Sequence, residues 1–376
     1  MRKTIVISAV NLVEGGTLTV LRDCIKSAEL VLGQEWTLVA LVNRPGLIEV
    51  ARTEVLFFPA AKKSWFARIC HEWLYFKRLS LQLKPDLWLS LHDITPRVHA
   101  KRQAVYCHNP SPFYKISWRE AKLDFSFLLF NKLYRYLYKA FISRNFLVIV
   151  QQAWLRDAFR DMYGKLPIIV AHPRTQAKDD FKPAGGERLA SSPTVFFFPS
   201  FPRVFKNFET LCEATRQLNT WGVQNFRVQI TMAGDENNYA RDIFRSYRGV
   251  QNLEYIGLQT REQMAERYQA ADVVVFPSKL ETWGLPISEA KGYGKALLLA
   301  DRPYARETVG SYDRVSFFEA SDAVTLAHLM RSIVESGWQP QGHLAAPPTS
   351  PFAADWDELW AALIGSLPDK ATNTPH

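Results

Sequence analysis

A chain of 376 residues that is 47% hydrophobic carries enough apolar material for more than one core, which excludes a disordered or repeat-array protein and predicts two or three domains. Cys24, Cys70, Cys107 and Cys212 are scattered, with no C-x-x-C pair and no histidine at metal spacing. This argues against a zinc site or a disulfide framework and leaves four buried thiols as the default. The net charge of +9 is unevenly placed: residues 1–60 are balanced, whereas residues 61–145 hold 16 Lys and Arg against 5 Asp and Glu.

In chain order, the first apolar run covers residues 4–10. It is too short for a signal-peptide core, and no segment approaches about 18 uninterrupted apolar residues, so a cytoplasmic location is expected. The run reads as a strand, and Glu14-Gly15-Gly16-Thr17 then opens a helix through Leu18, Leu21 and Ile25. Glycine there lets a ligand approach the backbone, although the pattern is not the G-x-G-x-x-G of dinucleotide enzymes. Further strands are predicted over residues 37–42, 86–91, 103–106, 147–150 and 168–171, with helices between, an alternation that implies a parallel α/β sheet.

The basic excess falls inside this half, interleaved with Trp65, Phe66, Trp73, Tyr75 and Phe76. The run 125–146 then carries Lys132, Arg135, Lys139 and Arg144 and no acid. Such a mixture suits the surface of an anionic membrane; the plainer alternative is a core helix with a basic solvent face, burying Leu128, Leu129, Leu133, Tyr136 and Leu137. Nucleic acid is not an expected partner, because no DNA- or RNA-binding motif accompanies the charge. A Gly, Pro and Ser cluster over 183–193 reads as a linker. Beyond it strands are predicted over 194–198, 227–233, 253–256, 272–276 and 296–300, a second α/β domain. The predicted organisation is thus domain 1–182, linker 183–193, domain 194–345, and a C-terminal helix and tail over 346–376. In the tail, Phe352, Trp356, Leu359, Trp360 and Leu363 keep helical spacing.

Candidate site residues cluster after predicted strands, where doubly wound sheets bind ligands. After the strand 272–276 come Glu281 and Glu289, flanking Gly284-Leu285-Pro286, a turn that resembles a helix start. Helix N–H groups there favour phosphate oxygens, and carboxylates accept from sugar or ribose hydroxyls. The spacing alone favours the plainer reading, one solvated loop glutamate and one glutamate favoured by the helix dipole. After 194–198, Arg203 and Lys206 stand at the start of a helix, where cations are poorly placed unless an anion joins them. His92 and Asp93 follow the strand 86–91, and His108 follows 103–106.

The stretch FPSKLETWGLPISEAKGYGKALLLADRPYARETVG resembles the nucleotide-sugar motif, the E-x7-E signature, of the retaining family 4 (group 1) glycosyltransferases. The likeness continues upstream through VQITMAGD and through NLEYIGLQTREQMAERYQAADVVVFPS with its Gly257. The resemblance implies a GT-B fold: two Rossmann-like parallel-sheet domains facing a central cleft, with a C-terminal helix crossing back to the first. It also implies roles. Lys206, in its Lys-Asn pair, and Arg203 would grip the donor diphosphate, with Gly284 and Leu285 beside it and Gly15 and Gly16 in a similar phosphate-facing loop. Glu281 would hold the transferred sugar and Glu289 the ribose. His108, in its HNP context, would lie near the reacting sugar, and Asp93 beside His92 would orient the acceptor hydroxyl or take its proton.

The implied activity is retaining, metal-independent transfer of a hexosyl group from a nucleotide diphosphate sugar, with no separate cofactor. The acceptor would be a glycan or lipid-linked glycan in lipopolysaccharide, capsule or exopolysaccharide assembly, at the inner face of the cell membrane. The alternatives are a GT-B nucleotide-sugar epimerase or phosphorylase, and a non-catalytic scaffold that binds sugar nucleotides.

Overall fold

The structure, a computed structural model, describes residues 2–173 and 192–365, so most of the 183–193 linker lies outside the described residues. The first part of the chain forms β1 (Lys3–Ser8), α1 (Gly15–Val31), β2 (Trp36–Val42), β3 (Glu54–Phe57), α2 (Trp65–Cys70), α3 (Phe76–Leu83), β4 (Leu87–Ser90) and β5 (Arg102–Cys107). There follow α4 (Trp118–Leu123), α5 (Phe125–Lys139), β6 (Leu147–Val150), α6 (Ala153–Tyr163) and β7 (Ile168–Ala171). The second part forms β8 (Thr194–Phe198), α7 (Phe208–Thr220), β9 (Phe226–Ile230), α8 (Asn238–Tyr247), β10 (Leu253–Tyr255), α9 (Arg261–Ala270) and β11 (Val273–Phe276). It ends with α10 (Leu285–Gly292), β12 (Ala296–Ala300), α11 (Pro303–Val309), β13 (Val315–Phe318), α12 (Ala323–Val334), β14 (Phe352–Ala353) and α13 (Trp356–Ile364).

The chain divides into two compact units. The first comprises Met1–Asn109, Leu133–Arg174 and Pro348–His376; the second comprises Pro110–Lys132 and Thr175–Pro347. Each is built on one sheet in which every pair of strands is parallel. The order is β3-β2-β1-β4-β5-β6-β7-β14 in the first unit and β10-β9-β8-β11-β12-β13 in the second. Strands covered on both faces must be apolar throughout, which is why β1, β6, β11 and β12 read as unbroken runs rather than alternating ones. In β1, Ile5 and Ile7 point to a core shared with α1 and α13, while Val6 points to a second core with Phe76, Trp88 and Val39.

The C-terminal helix returns to the first unit. Asp355 caps α13 through the Glu358 N–H (2.9 Å), and fully buried Trp360 donates its Nε1–H to the Cys24 carbonyl on α1 (3.2 Å). Ser27 on α1 donates to Asp357 (2.6 Å), and Trp356 stacks on Tyr106 of β5 with centroids 5.7 Å apart. Phe352, which the helical spacing had grouped with this helix, instead starts β14 and pairs with Val170 of β7. Two more strands were not read from the sequence: β3, a partly exposed edge strand beside β2, and β13, the four-residue edge strand beside β12. β3 is partly exposed and so needs little apolar sequence, whereas β13 is buried but only four residues long and interrupted by Ser316, so the signal of each is weak.

Truncating Trp360 to alanine leaves a large cavity under α1. We expect Trp360→Ala to destabilise the protein by about 3–5 kcal/mol in denaturant titration. Leu344→Ala, at an 87% exposed position, should leave the midpoint unchanged.

Candidate functional site

In the second unit the strand order turns back on itself between β8 and β11, whose pairing sets Phe196 beside Val273 and Phe197 beside Val274. Loops leaving adjacent strands at such a switch point diverge and open a crevice at the strand C-termini. One loop carries Arg203 and the 3-10 turn Val204–Lys206; the other runs from Pro277 to the start of α10. They are stitched together: the Lys279 N–H donates to the Phe205 carbonyl (2.7 Å), and the Tyr304 hydroxyl donates to the Ser278 carbonyl (2.7 Å).

Lys206 and Glu281, 75 residues apart in sequence, are thereby brought into direct contact as an ion pair. The ammonium also lies 5.6 Å from the Phe205 ring centroid and 5.5 Å from that of Phe276. Ser278 donates its hydroxyl to the same Glu281 oxygen at 2.8 Å. Asn207 explains the second member of the Lys-Asn pair. It adopts φ 62° at the N-cap of α7, a left-handed conformation that asparagine and glycine tolerate, and its buried amide donates to the carbonyls of Pro277 (2.9 Å) and Ala320 (2.7 Å). Arg203 is about half exposed and pairs with Asp124 at 3.2 Å. Asp124 lies just before α5, within the 110–132 segment that belongs to this unit.

Gly284 (φ 83°) precedes α10, and a Cβ there would lie 3.3 Å from Ile287 Cδ1, so both conformation and space select glycine. The helix begins at Leu285 with Pro286 in its first turn and no side-chain cap. Glu289 stands one position beyond the first turn of α10. Its carboxyl accepts the Tyr268 hydroxyl at 2.6 Å, and burial holds its pKa above the ordinary carboxylate value. Tyr268 in turn stacks on Tyr293, with centroids 5.4 Å apart.

In the first unit the switch point falls between β1 and β4. Gly15 (φ 63°) opens α1, which has no side-chain cap and no acid in its first turn, so the N–H groups at Gly15 and Gly16 are left for other acceptors. His92 is buried. Arg68 donates to its Nδ1 (3.3 Å), which assigns the proton to Nε2, and that nitrogen faces Ser8 Oγ (3.1 Å) and Glu72 Oε1 (3.2 Å). Burial holds this imidazole well below its ordinary pKa.

Asp93 (φ 72°) accepts from the hydroxyls of Tyr134 (2.8 Å) and Tyr138 (2.9 Å) and from the backbone N–H of His108 (2.6 Å) and Asn109 (3.0 Å). His108 donates Nε2–H to the Leu91 carbonyl (2.8 Å) and stacks on Tyr106 at 4.5 Å. Its Nδ1 is left as an acceptor, and burial lowers its pKa, so the ring is neutral. Of the histidines and acid after these strands, His108 keeps an open nitrogen, whereas His92 and Asp93 are committed to partners inside the unit.

The basic aromatic run forms α5, a helix of 15 residues. Its Tyr134 and Tyr138 are buried, while Leu129, Leu133 and Tyr136 are exposed beside exposed Lys132, Arg135 and Lys139. Among the described residues no helix is long and apolar enough to cross a membrane. Sequence reasoning missed Ser278, Tyr268 and Asp124. Ser278 sits two residues past the end of β11 and three before Glu281, which was a usable signal, whereas the other two approach only through the fold.

The chain carries two doubly wound parallel-sheet units, and comparison with known proteins shows what they resemble. Residues 181–343 match the family Glycosyl transferases group 1. O-antigen chain mannosyltransferase B of Escherichia coli is 31% identical over 87 residues, 23% of this chain and 23% of that protein. Sucrose-phosphate synthase from Thermosynechococcus elongatus superposes with a TM-score of 0.67 at 16% identity, covering 89% of this chain and 90% of that one. WaaG, described as a glycosyltransferase involved in lipopolysaccharide biosynthesis, superposes with a TM-score of 0.61 at 12% identity, covering 96% and 93%. The fold is that of the GT-B glycosyltransferases.

Glu72 offers a pH test of the polar core. It lies in the π-helical turn His71–Tyr75 that joins α2 to α3, and burial pushes its pKa up to about 8 against the opposing effect of Arg68. The folded state thus keeps a proton that the unfolded chain has shed. The stability this contributes is fully present below the ordinary carboxyl pKa and is lost as pH rises through about 8. Melting temperatures should fall over that window, and Glu72→Gln should flatten the fall; a variant that tracks the wild type would refute the assignment.

Proposed function

We propose that the protein is a retaining glycosyltransferase that moves a hexosyl group from a nucleotide diphosphate sugar to a hydroxyl of a glycan or lipid-linked glycan, in assembly of a surface polysaccharide. The observation that carries this is the juxtaposition of Lys206 with Glu281 at the switch point of the second unit, with Arg203 on the same loop and the uncapped start of α10 following. As the bond from the anomeric carbon to the diphosphate breaks, negative charge grows on the leaving group. Lys206, Arg203 and the N–H groups at Gly284 and Leu285 are preorganised to meet it, so no metal is required. Glu281, bridged by Ser278, holds hydroxyls of the transferred sugar, and Glu289, oriented by Tyr268, takes those of the ribose. Neutral His108 offers Nδ1 to a sugar hydroxyl, and Gly15 and Gly16 present backbone N–H groups to phosphate. Asp93 and His92 act as positioning residues, holding the His108 backbone and the end of β4. No protein nucleophile is assigned.

The test is nucleotide release from UDP-, GDP- and ADP-sugars, with and without lipid-linked glycan extract. Release from one donor should rise with extract, persist in EDTA and fall about a hundredfold or more in Lys206→Ala. Glu281→Gln should lower turnover more than nucleotide binding. Binding without release under every condition would favour the sugar-nucleotide scaffold instead.

The same reading includes contact with an anionic membrane. In the first unit Trp65 meets Tyr134 edge-on at 5.7 Å, which joins exposed Trp65 and Phe66 to exposed Leu133 and Tyr136, with Arg135 and Lys139 alongside. Apolar side chains beside cations complement an anionic lipid surface. Sedimentation with phosphatidylglycerol vesicles should weaken on neutralising Lys132, Arg135 and Lys139 together; undiminished binding would refute the contact.

A further inference from the structure

The first unit has a second concavity, on the edge of its sheet opposite the one that carries Gly15, His92 and His108. It is lined by residues that directly precede strands: Arg97, His99 and Ala100 before β5, and Arg144 before β6. Lys77 of α3 and Gln103 complete it, around a cavity of about 410 Å³. Its lining holds three permanent cations and a histidine and no carboxylate. Of the acids nearest in sequence, Asp93 accepts from Tyr134, Tyr138 and the His108 and Asn109 N–H groups, Asp86 pairs with Lys101 and accepts the Thr4 N–H, and Glu72 is buried facing His92.

The two arginines are held by one ring. Arg97 lies 5.4 Å and Arg144 5.1 Å from the centroid of Phe141, which is itself fixed by edge-on packing with Trp73 at 5.5 Å. Stacking occupies the face of a guanidinium and leaves its N–H edges for an acceptor. Arg97 Nε is buried and has no hydrogen-bond acceptor among the described residues. A buried N–H without a partner is costly, and so is a set of like charges with no counter-charge. One oxyanion with several acceptor oxygens removes both costs.

We infer that this cavity is a binding site for a phosphate ester. Phosphate matches the donor set, because a tetrahedral dianion accepts from two guanidinium forks and an ammonium at once. The cavity volume exceeds that of a bare phosphate and leaves room for the attached organic group. The phosphate comes either from a soluble phosphorylated metabolite or from a lipid headgroup. The site is separate from the donor-gripping residues, and the inference does not depend on the proposed activity.

The experiment measures two probes on the full chain: inorganic phosphate by isothermal titration calorimetry, and phosphatidylglycerol vesicles by sedimentation. It compares the wild type with Arg97→Gln/Arg144→Gln, with the exposed single variant Lys77→Gln in case the double variant folds poorly, and with Arg331→Gln, an exposed position on α12, as a control. A saturable phosphate site that weakens about tenfold or more in the cavity variants, but not in the control, supports a soluble source. Vesicle binding that falls in the cavity variants without measurable affinity for inorganic phosphate supports a lipid headgroup. If the cavity variants bind both probes as the wild type does, or neither probe binds the wild type, the inference is overturned.

Discussion

Parallel pairing of β8 with β11 is the constraint on which the rest of the second unit depends. Strands that leave a sheet side by side in the same direction, with connections wound to opposite sides, must part company at their ends. Whatever follows them faces the same crevice. Lys206 and Glu281 therefore meet although three helices and three strands, α7 to β11, separate them. The closing contacts around them are equally specific: a left-handed asparagine, a serine bridging to the carboxylate, and a tyrosine on a strand-end carbonyl. Each fixes a side chain before any ligand arrives, which is what preorganised charge stabilisation requires.

The corresponding edge of the first unit is built differently. Many of its polar groups are buried and paired within the unit, with Asp93 accepting four hydrogen bonds and His92 meeting Arg68 and Ser8 through its two ring nitrogens, although both carboxyl oxygens of Glu72 lack a hydrogen-bond partner among the described residues. A network of that kind rigidifies a strand end rather than offering chemistry, and it delivers one residue, His108, with a defined tautomer and an open nitrogen.

Much of this was legible in the chain. Unbroken apolar runs separated by helical spacing gave the parallel sheets, and the E-x7-E stretch gave the crevice loop with Gly284 and Pro286. What escaped notice escaped for physical reasons. β3 and β13 are short edge strands whose pairing comes from a single neighbour. Phe352 keeps helical register with Trp356, but Asp355 caps the helix after it, and the strand partner that claims it lies far back in the sequence at Val170. His92 and Asp93 looked like site residues because they follow a strand. Their commitment to Arg68, Tyr134 and Tyr138 depends on packing of helices that no local pattern announces. The basic excess of residues 61–145 was visible as a number, yet only the fold divides it between an outward face of α5 and a cavity at the far edge of the sheet.

The returning helix α13 has a consequence for how such proteins can diversify. Because Trp356 and Trp360 complete the core beneath α1, while the 110–132 segment belongs with the second unit, neither unit is a contiguous stretch of chain. Recombination at a single point near the middle exchanges more than one unit: it sends α13 onto a first unit whose α1 was never shaped to receive it. A second unit acquired by swapping halves must therefore come with the original tail, or α1 and α13 must change together. Strand β14 and helix α13 act as a lock on which halves can be combined.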